Sequence, residues 1–429
     1  MRFDKLKRLV DPARPITYGI VQAGPEFEGG IPYIRPADMM DETGVKDFGS
    51  IKHTSPEIAQ QYRRSAVKTG DLIISIGPSF GKVMEVPAEL DGANLTQGTA
   101  RVAPGRNLHA RFAFWCLRSH HCYSQWEASI GGATFRALNL GPLSETRIPL
   151  PDLATQRQIA DFLDRETARI DLLIEKKRRL VALLGEKYEA TAAQLSTGER
   201  SQEDKFDSGI DWLGSIPKSW SIEKLSWHFY AAKGKDAQKY TKEYCGANEG
   251  EFPVYSGQTA NEGVMGRIDT YDYDFGETGV LFATTVGAKA MDLRHLQGKF
   301  SLSQNCMIII PRQQIPLKFY LYQMRVLFRK ERQLIPDHMQ ASFRVEDLYR
   351  YRIAVPPPDL ASEIGAKIEK AEAALKAVVE PVNASIDRLK EYRSALITAA
   401  VTGQIDVTTY AKSGTPDRRL DAIQEEMGA

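Results

Sequence analysis

A proline-led entry into a helix that occurs twice is the feature that most constrains this chain. The stretch "PLPDLATQRQIADFL" at 149–163 returns as "PPPDLASEIGAKIEK" at 356–370. In both copies "PDLA" opens a helical pattern of about forty residues, which closes on "LSTGE" (195–199) and on "AVTGQ" (400–404). Because proline disfavours helix in the residue before it, each entry predicts a fixed starting point for a long helix.

Apolar residues follow both patterns at spacings of three, four and seven, as the buried stripe of a long helix requires. A helix of this length cannot bury its stripe alone, and alternation of four and three is typical of a coiled coil. Pro381 lacks a backbone donor, so we expect it to kink or split the second helix. The stripe positions are Ile159, Leu163, Ile170, Leu173, Leu180, Leu184, Tyr188 and Leu195, then Ile364, Ile368, Ala371, Leu375, Val378, Val382, Ile386, Leu389, Leu396 and Ala400.

The blocks that precede the two helices also echo each other, in the same order. "GDLIISIGPSFGKVMEV" (70–86) parallels "TGVLFATTVGAKAMDL" (278–293), each with a buried-strand run, a small polar turn and a lysine. "GGATFRALN" parallels "HMQASFRVED" in the same way. We therefore predict a tandem α/β (α+β) fold with domains at 1–150 and 200–355, helical spacers at 151–199 and 356–405, and at 406–429 a polar tail that can be disordered.

Composition is typical of a globular chain, with 42% hydrophobic and 26% charged residues among 429 and a net charge of +1. The two domain blocks are mildly basic and the two helical blocks mildly acidic. Four cysteines are too few for a disulfide framework, which favours a reduced compartment. The amino terminus lacks an apolar signal region and "CMIIIP" is too short to span a bilayer, so we expect a cytoplasmic protein without a membrane partner.

The helix borders and one loop resemble a known family, the specificity subunits of type I restriction–modification systems. "DSGIDWLGSIPKSW" (207–220) is similar to that family's entry into its second recognition domain, and "LPDLATQRQIADFLD" and "TGQI" match its helix borders. The first entry, "MRFDKLKRLVDPARPITYGIVQ", lacks the Trp-Leu-Gly-x-Ile-Pro signature. The resemblance implies two target-recognition domains, separated and followed by long helices that pair as an antiparallel coiled coil.

The resemblance also implies a subunit without chemistry of its own, and three catalytic or metal-binding patterns are incomplete. "GPSFGKV" (77–83) is one residue short of a phosphate-binding loop and ends in Val83 where a hydroxyl would hold magnesium. "VPPPDL" (355–360) lacks the polar and aromatic residues of an adenine-methyltransferase motif. "CLRSHHC" (116–122) would place Cys116 and His120 on one helix face, but no second pair follows at zinc spacing, so we expect a half-buried helix and no metal.

Donors that could read DNA lie at the repeated turns of both blocks. Arginine and lysine contact guanine or phosphate, glutamine pairs with adenine, and tyrosine stacks or holds phosphate. For each residue alone a solvated loop side chain is the better explanation, whereas recurrence of the set in matching positions of the two blocks favours DNA contact. The candidates are Tyr33, Arg35, Ser79, Lys82, Gln97, Arg101, Thr134 and Arg136 in the first block, and Tyr255, Ser256, Gln258, Thr285, Lys289, Gln304, Gln340 and Arg344 in the second.

The resemblance implies that the chain recognises a bipartite double-stranded DNA site, one half per domain, while the helices set the spacing and dock the partners. Those partners would be modification subunits, expected as two copies, that use S-adenosylmethionine to methylate adenine N6, and restriction subunits that use ATP and magnesium. We expect no cofactor on this chain and no catalytic residue. The alternative is a coiled-coil adaptor whose α/β domains bind protein. The affinity of such a protein complex would change less with salt concentration than the affinity of a DNA complex does.

Overall fold

A computed structural model describes residues 2–40, 44–130, 136–258, 260–287, 290–336, 339 and 341–410. The chain divides into two compact units, one formed by Met1–Arg178 with Asn383–Ala429 and the other by Arg179–Val382. Each unit therefore contains one α/β domain and half of each long helix. Most of the predicted tail at 406–429 lies outside the described residues. In the described part of the chain, no helix combines the length and apolar character needed to cross a membrane.

The domain of the first unit is built on an antiparallel four-stranded sheet in the order β2-β10-β7-β8. A smaller sheet has the order β6-β3-β9, in which β3 and β9 run parallel. The strands are β1 Phe3–Lys5, β2 Thr17–Tyr18, β3 Ile31–Ile34, β4 Met39–Met40, β5 Gly44–Val45, β6 His53–Thr54, β7 Leu72–Ser75, β8 Val83–Glu85, β9 Asn94–Leu95, β10 Thr99–Val102 and β11 Arg147–Pro149. The helices of this domain are α1 Pro56–Gln61, α2 Ala110–Arg118, α3 His120–Ile130 and α4 Leu140–Glu145.

The core of the first domain lies on both sides of β7, whose four residues are all buried. A continuous apolar run such as "LIIS" suits a strand that is covered on both faces, because neither set of alternating side chains meets water. One face packs against Ile34, Val67, Met84 and Leu95. The polar end of the run, Ser75, turns its hydroxyl to the loop that follows, where it donates to the Ser79 carbonyl at 2.9 Å.

The "CLRSHHC" segment forms two helices rather than the expected single helix. Helix α2 ends at Arg118 and α3 begins at His120, with Ser119 between them. The Ser119 hydroxyl donates to the Cys116 carbonyl at 2.6 Å and ends the first helix, as serine does where it competes for backbone groups. Both cysteines are fully buried, and burial raises the pKa of Cys122 to about 12, so these thiols serve the apolar core.

The domain of the second unit repeats the topology of the first. Its four-stranded sheet has the order β15-β22-β19-β20, and its second sheet has the order β17-β16-β21-β18, in which β16 and β21 run parallel. The strands are β12 Lys205–Asp207, β13 Ser215–Pro217, β14 Ser221–Lys224, β15 Phe229–Lys233, β16 Glu249–Tyr255, β17 Val264–Ile268, β18 Tyr273–Asp274, β19 Val280–Thr284, β20 Leu293–Leu296, β21 Lys299–Leu302, β22 Cys306–Pro311 and β23 Arg352–Val355. Its helices are α6 Leu225–His228, α7 Lys242–Ala247, α8 Leu317–Gln333 and α9 Val345–Leu348.

The same two-strand closure ends each domain just before its long helix. In the first domain β1 pairs antiparallel with β11, so Phe3 lies opposite Pro149. In the second domain β14 pairs antiparallel with β23, so Ser221 lies opposite Val355. The strand that enters each domain is therefore hydrogen-bonded to the strand that leaves it. This closure places the start of each long helix at an equivalent point of the two domains.

The long helices are α5, Leu153–Ser196, and α10, Pro358–Val401, of 44 residues each, and a short helix α11, Val407–Tyr410, follows. Each long helix extends about 66 Å at 1.5 Å per residue. The carboxylate of Asp152 caps α5 by accepting from the backbone of Thr155 at 3.0 Å, whereas α10 begins at Pro358 itself. The two copies of "PDLA" therefore start their helices two positions apart.

Pro381 lies inside α10, and the expectation that it splits the helix is wrong. The residue is exposed, so its ring faces away from the buried stripe. The missing donor leaves the carbonyl of Ala377 without its usual helical partner, but Ala377 is also exposed and water can serve it. The stripe that follows, with Ile386 and Leu389 buried, continues in phase beyond the proline.

The two long helices contact each other in both units and run antiparallel, which confirms the predicted fold class. In the first unit the Arg393 guanidinium binds both carboxylate oxygens of Asp171, at 2.9 and 3.0 Å. In the second unit the Tyr322 hydroxyl on α8 donates to the Tyr188 hydroxyl at 2.8 Å, and Lys318, one turn earlier on α8, donates to the Glu372 carboxylate at 2.6 Å, so positions 188 and 372 lie beside the same stretch of α8. Position 171 thus faces 393, while position 188 faces the region of 372. Residue numbers therefore increase along α5 while those of the facing residues decrease along α10, so the two helices are antiparallel.

Polar contacts join α5 to the domain of each unit. In the first unit Asp164 accepts from the ring nitrogen of Trp115 at 2.8 Å and from the Nε of Arg111 at 2.7 Å. In the second unit the amide of Gln323, which is fully buried on α8, donates to the carbonyl of Ser196 at 2.8 Å and to that of Ala354 at 3.0 Å. The Gln323 contact lies in dry surroundings, where hydrogen bonds hold a fixed geometry, so the end of α5 is firmly attached to the domain of the second unit.

Candidate nucleic-acid interface

A basic cleft of about 970 Å³ opens at one end of the main sheet in the second unit. The three neighbouring strands β15, β22 and β19 reach this end together, because Lys233 pairs with Met307 and Thr284 pairs with Cys306. Segments that leave or enter these strands form the walls, and a fourth segment comes from the start of α9. The walls are 233–239, 285–286, 303–306 and 342–346, which we call the recognition cleft.

Three of the predicted residues meet in the recognition cleft: Thr285, Gln304 and Arg344. Thr285 is buried and acts through its backbone. Its amide donates to the Asn305 carbonyl at 2.8 Å, and its carbonyl accepts from the amide of Phe343 at 2.7 Å. These bonds hold the Gln304 turn against the Arg344 segment, and both of those side chains are exposed.

The turn that carries Gln304 has a backbone that few residues adopt. Asn305 has a φ of 64°, in the left-handed region that asparagine tolerates better than most residues. The Ser303 amide donates to the Tyr255 carbonyl at 2.8 Å, so the turn is held from both sides. A tight, doubly anchored turn fixes the backbone position from which the exposed Gln304 side chain extends, and a fixed backbone supports base reading by an amide.

Arg344 offers a free guanidinium at the mouth of the cleft. Its backbone amide donates to the Asp347 carboxylate at 2.9 Å, which fixes the start of α9, and among the described residues no carboxylate forms an ion pair with its side chain. The neighbouring Arg350 is the residue that pairs with Asp347. An exposed and uncompensated guanidinium on a fixed segment suits contact with guanine or with phosphate.

Three lysines of the recognition cleft were missed by sequence reasoning: Lys233, Lys235 and Lys239 in "KGKDAQK". Lys235 lies 5.2 Å from the ring centre of Tyr273, and Lys239 lies 4.9 Å from that of Tyr244. These lysines have no counterpart in the first domain, because the corresponding segment after β2, "GIVQAG", has no lysine. The signal that was available is the spacing of three lysines within seven residues directly after a strand.

Three other candidates of the second domain do not line the recognition cleft. The ring of Tyr255 packs 5.8 Å from the rings of Phe282 and Phe300, and burial raises its pKa. Ser256 is buried and its hydroxyl accepts from the amide of Gln258 at 3.3 Å. The Gln258 side chain in turn donates to the Val264 carbonyl at 2.7 Å. These residues close the turn between β16 and β17.

Five candidates of the first domain gather at the corresponding end of its sheet. The ammonium group of Lys82 lies 3.4 Å from the Pro36 carbonyl and 3.3 Å from that of Met39, so it joins the loop after β7 to the turn after β3. Tyr33 is buried in β3, while Ser79 and Gln97 are exposed. One edge of the Arg35 guanidinium, formed by Nε and a terminal nitrogen, donates to both carboxylate oxygens of Asp38 at 2.9 and 2.5 Å, and these hydrogen bonds raise the pKa of Arg35.

Two arginines of the first domain occupy other positions. Arg101 lies within β10, two residues beyond the turn that was expected to present it, and is 3% exposed. Its guanidinium donates to the carbonyls of Ala66 at 2.6 Å and Pro15 at 3.2 Å. Arg136 is exposed but donates to both oxygens of Glu127 at 2.5 Å. The candidates Thr134, Lys289 and Gln340 lie outside the described residues.

Comparison with known proteins matches this geometry to one family. The family model described as "Type I restriction modification DNA specificity domain" matches residues 20–181 and 230–380, which is most of the chain. A solved structure from a study of complex assembly and conformational transition of the type I R-M system has a TM-score of 0.60 at 18% identity, with 93% of this chain and 97% of that chain covered.

Curated relatives agree with the family model. The EcoBI type I restriction enzyme specificity subunit of Escherichia coli is 24% identical over 235 residues, which are 54% of this chain and 49% of that protein. The match therefore spans about half the length of that relative. A putative type I specificity subunit of Mycoplasma pneumoniae is 24% identical over 258 residues, with 58% of this chain and 91% of the relative covered. This chain belongs to the type I restriction–modification specificity subunit family.

Proposed function

We propose that this chain is the DNA-recognition subunit of a type I restriction–modification complex and that each α/β domain reads one half of a bipartite site. The recognition cleft of the second domain is the observation that supports this most directly. It combines the exposed amide of Gln304 and the Arg344 guanidinium, which has no ion-pair partner among the described residues, with three lysines on the rim. Amide and guanidinium groups discriminate base edges, and lysines bind phosphate without regard to sequence.

The first domain would read its half-site from the equivalent end of its own sheet. Gln97 and Ser79 are the exposed polar groups there, and Lys82 joins the two loops that carry the site. Arg35 is already neutralised by Asp38, so its part is to shape the turn that follows β3. The two domains would thus recognise different bases with one scaffold, because the same strand ends carry different side chains.

The long helices would set the distance between the half-sites and dock the modification subunits. Leucine and valine side chains on the parts of α5 and α10 within the second unit support docking: Leu183 is 51% exposed, Val378 is 48% exposed, and Leu180 is also exposed. Leu180 and Val378 were predicted to lie in the buried stripe, and their exposure shows that this part of the prediction is wrong. Leu180 and Leu183 lie three residues apart on one face of α5, and neighbouring exposed apolar side chains of this kind mark a surface that a partner covers. Two modification subunits would supply S-adenosylmethionine and adenine N6 methylation, and restriction subunits would supply ATP-driven cleavage with magnesium, in the cytoplasm.

A test separates recognition from catalysis. The purified chain alone should neither methylate nor cleave DNA, and addition of the modification subunit should produce methylation at one bipartite sequence. Exchange of 205–355 for the equivalent block of a relative should change one half of that sequence and leave the other half intact. Methyl transfer by the isolated chain, or a change in both halves after the exchange, would contradict the proposal. Methylated adenines mapped across a genome with and without the gene give the readout.

A further inference from the structure

A second basic cleft lies in the first domain, at the end of its sheet opposite the recognition loops. Ser79 and Lys82 follow the Ser75 end of β7, where Ser75 pairs with Thr99. The second cleft lies at the Leu72 end, where Val102 pairs with Leu72. It has a volume of about 570 Å³ and is formed by residues 13–17, 63–64, 66–68, 91–92 and 101. We call it the arginine cleft, and no role in base reading accounts for it.

The floor of the arginine cleft is Arg101, a buried cation without a counter-ion. Its two terminal nitrogens bind backbone carbonyls, and its Nε is buried without a hydrogen-bond partner. Among the described residues no carboxylate forms an ion pair with it. The nearby Asp71 is occupied by Arg14, which binds it at 2.9 Å, and by the amide of Lys68 at 2.7 Å. A buried charge with an unused donor is costly to fold and is offset most directly by an anion.

The rim of the arginine cleft adds three exposed cations: Arg63, Arg64 and Lys68. In the described part of the chain none of these side chains forms an ion pair or a hydrogen bond. The carboxylate that lines the cleft, Asp91, is engaged by the amide of Thr69 at 2.8 Å and by its hydroxyl at 3.2 Å. The lining therefore has five cationic side chains and one carboxylate. Guanidinium forks fit phosphate oxygens in pairs.

We propose that the arginine cleft binds a phosphoryl group, with Arg63, Arg64 and Lys68 as ligands and Arg101 beneath them. This site is separate from the recognition loops and does not depend on their reading any sequence. The phosphoryl group can belong to the DNA backbone or to a free phosphorylated molecule, and the two sources give different results in the experiment that follows.

Inorganic tripolyphosphate is the probe, and calorimetry on the full chain at low salt is the measurement. The R63A/R64A variant should bind tripolyphosphate at least ten-fold more weakly than the unmodified chain. The control R106A/R157A removes the same charge from exposed arginines of the same unit outside the cleft and should leave binding unchanged. The unfolding midpoint of each variant shows that the fold is intact, as expected for exposed side chains.

The salt dependence of duplex binding then identifies the source. If the cleft holds DNA phosphates, the slope of log K against log salt falls by about 0.9 per lost contact in R63A/R64A. If the slope stays the same while tripolyphosphate binding is lost, the ligand is a free phosphorylated molecule, and the proposal stands. Absence of tripolyphosphate binding to the unmodified chain, or equal loss in both variants, would overturn it. The tripolyphosphate result remains readable even if the chain binds no DNA.

Discussion

Arg393 and Asp171 are 222 residues apart in the chain and form a two-pronged ion pair that joins the long helices in the first unit. The Arg393 side chain is 14% exposed and lies 5.9 Å from the ring centre of Trp115, whereas Asp171 is half exposed. Pairs with this geometry hold two helices in one register, because both nitrogens must meet both oxygens. The contact therefore specifies the pairing of the helices more than it stabilises the fold.

The first prediction concerns this pair. Asp171→Asn should lower the free energy of unfolding by about 0.5–1 kcal/mol, since Asp171 is half exposed and solvent screens the interaction. The matched control is Asp387→Asn, which removes an exposed pair with Lys390 within one helix and should be near neutral. Urea unfolding at low and at high salt measures both. A loss that persists undiminished at high salt would show that packing, not charge, is involved.

The second prediction uses Pro381. Pro381→Ala should raise the free energy of unfolding, because alanine restores the hydrogen bond to Ala377 and proline costs about 3 kcal/mol in a helix interior. The gain should be nearer 1 kcal/mol, since proline also restricts the unfolded chain. Ala384→Ser, at an exposed position of the same helix, is the control and should have little effect. An unfolding midpoint that falls in Pro381→Ala would mean that the proline fits a bend that the helix needs.

The long helices were predictable from sequence because their signals are local. The spacing of Ile159, Leu163 and Ile170 needs no knowledge of what covers them, and all three are buried. The continuation of α10 past Pro381 was not predictable from the sequence, because it depends on the proline ring lying on the exposed side of the helix. The tandem topology was also predictable from local signals, because strand runs and turns recur in the same order in both blocks.

The candidate site was only partly predictable. Gln304 and Arg344 lie on turns that sequence comparison of the two blocks identifies, and the fold brings them to one cleft. The environment of Arg101 depends on strand register, which places its guanidinium among the carbonyls of distant loops. Lys235 and Lys239 were missed because the domains differ there, and a comparison of the two blocks identifies only what they share.

The third prediction concerns base reading by the second domain. Arg344→Ala should weaken binding by about 1–3 kcal/mol for the cognate half-site only, if the guanidinium contacts a base. Arg350→Ala is the matched control, because Arg350 is also exposed but is already paired with Asp347. Affinities for duplexes altered in either half-site give the measurement. Equal weakening on every sequence would reassign Arg344 to a phosphate contact.

The fourth prediction concerns the lysines on the rim of the recognition cleft. Lys235→Gln and Lys239→Gln should each weaken binding to all duplexes alike and reduce the slope of log K against log salt by about 0.9, as loss of one phosphate contact does. Lys218→Gln is the control, since that exposed lysine pairs with Asp204 away from the cleft. A change in sequence preference without a change in slope would assign these lysines to bases instead.

The last prediction concerns the helices as a ruler. One heptad lengthens a helix by about 10.5 Å, which corresponds to about three base pairs at 3.4 Å each. Seven residues keep the apolar stripe in phase, whereas five would rotate it out of the seam. Because position 171 faces 393 and 188 faces the region of 372, a heptad inserted between Leu184 and Tyr188 is matched by one between Ala374 and Val378.

If the α10 heptad were placed between Leu389 and Leu396 rather than between Ala374 and Val378, the two insertions would not face each other. The parts of α5 and α10 that lie between the insertion points would then be one heptad out of register. We therefore expect the matched double insertion to preserve both half-site sequences and to widen the unread spacer between them by about three base pairs. A five-residue double insertion at the same points is the control and should abolish activity, because it separates the stripes. The methylation map of each variant is the readout. An active heptad variant with an unchanged spacer would show that the partner subunits, rather than α5 and α10, set the distance.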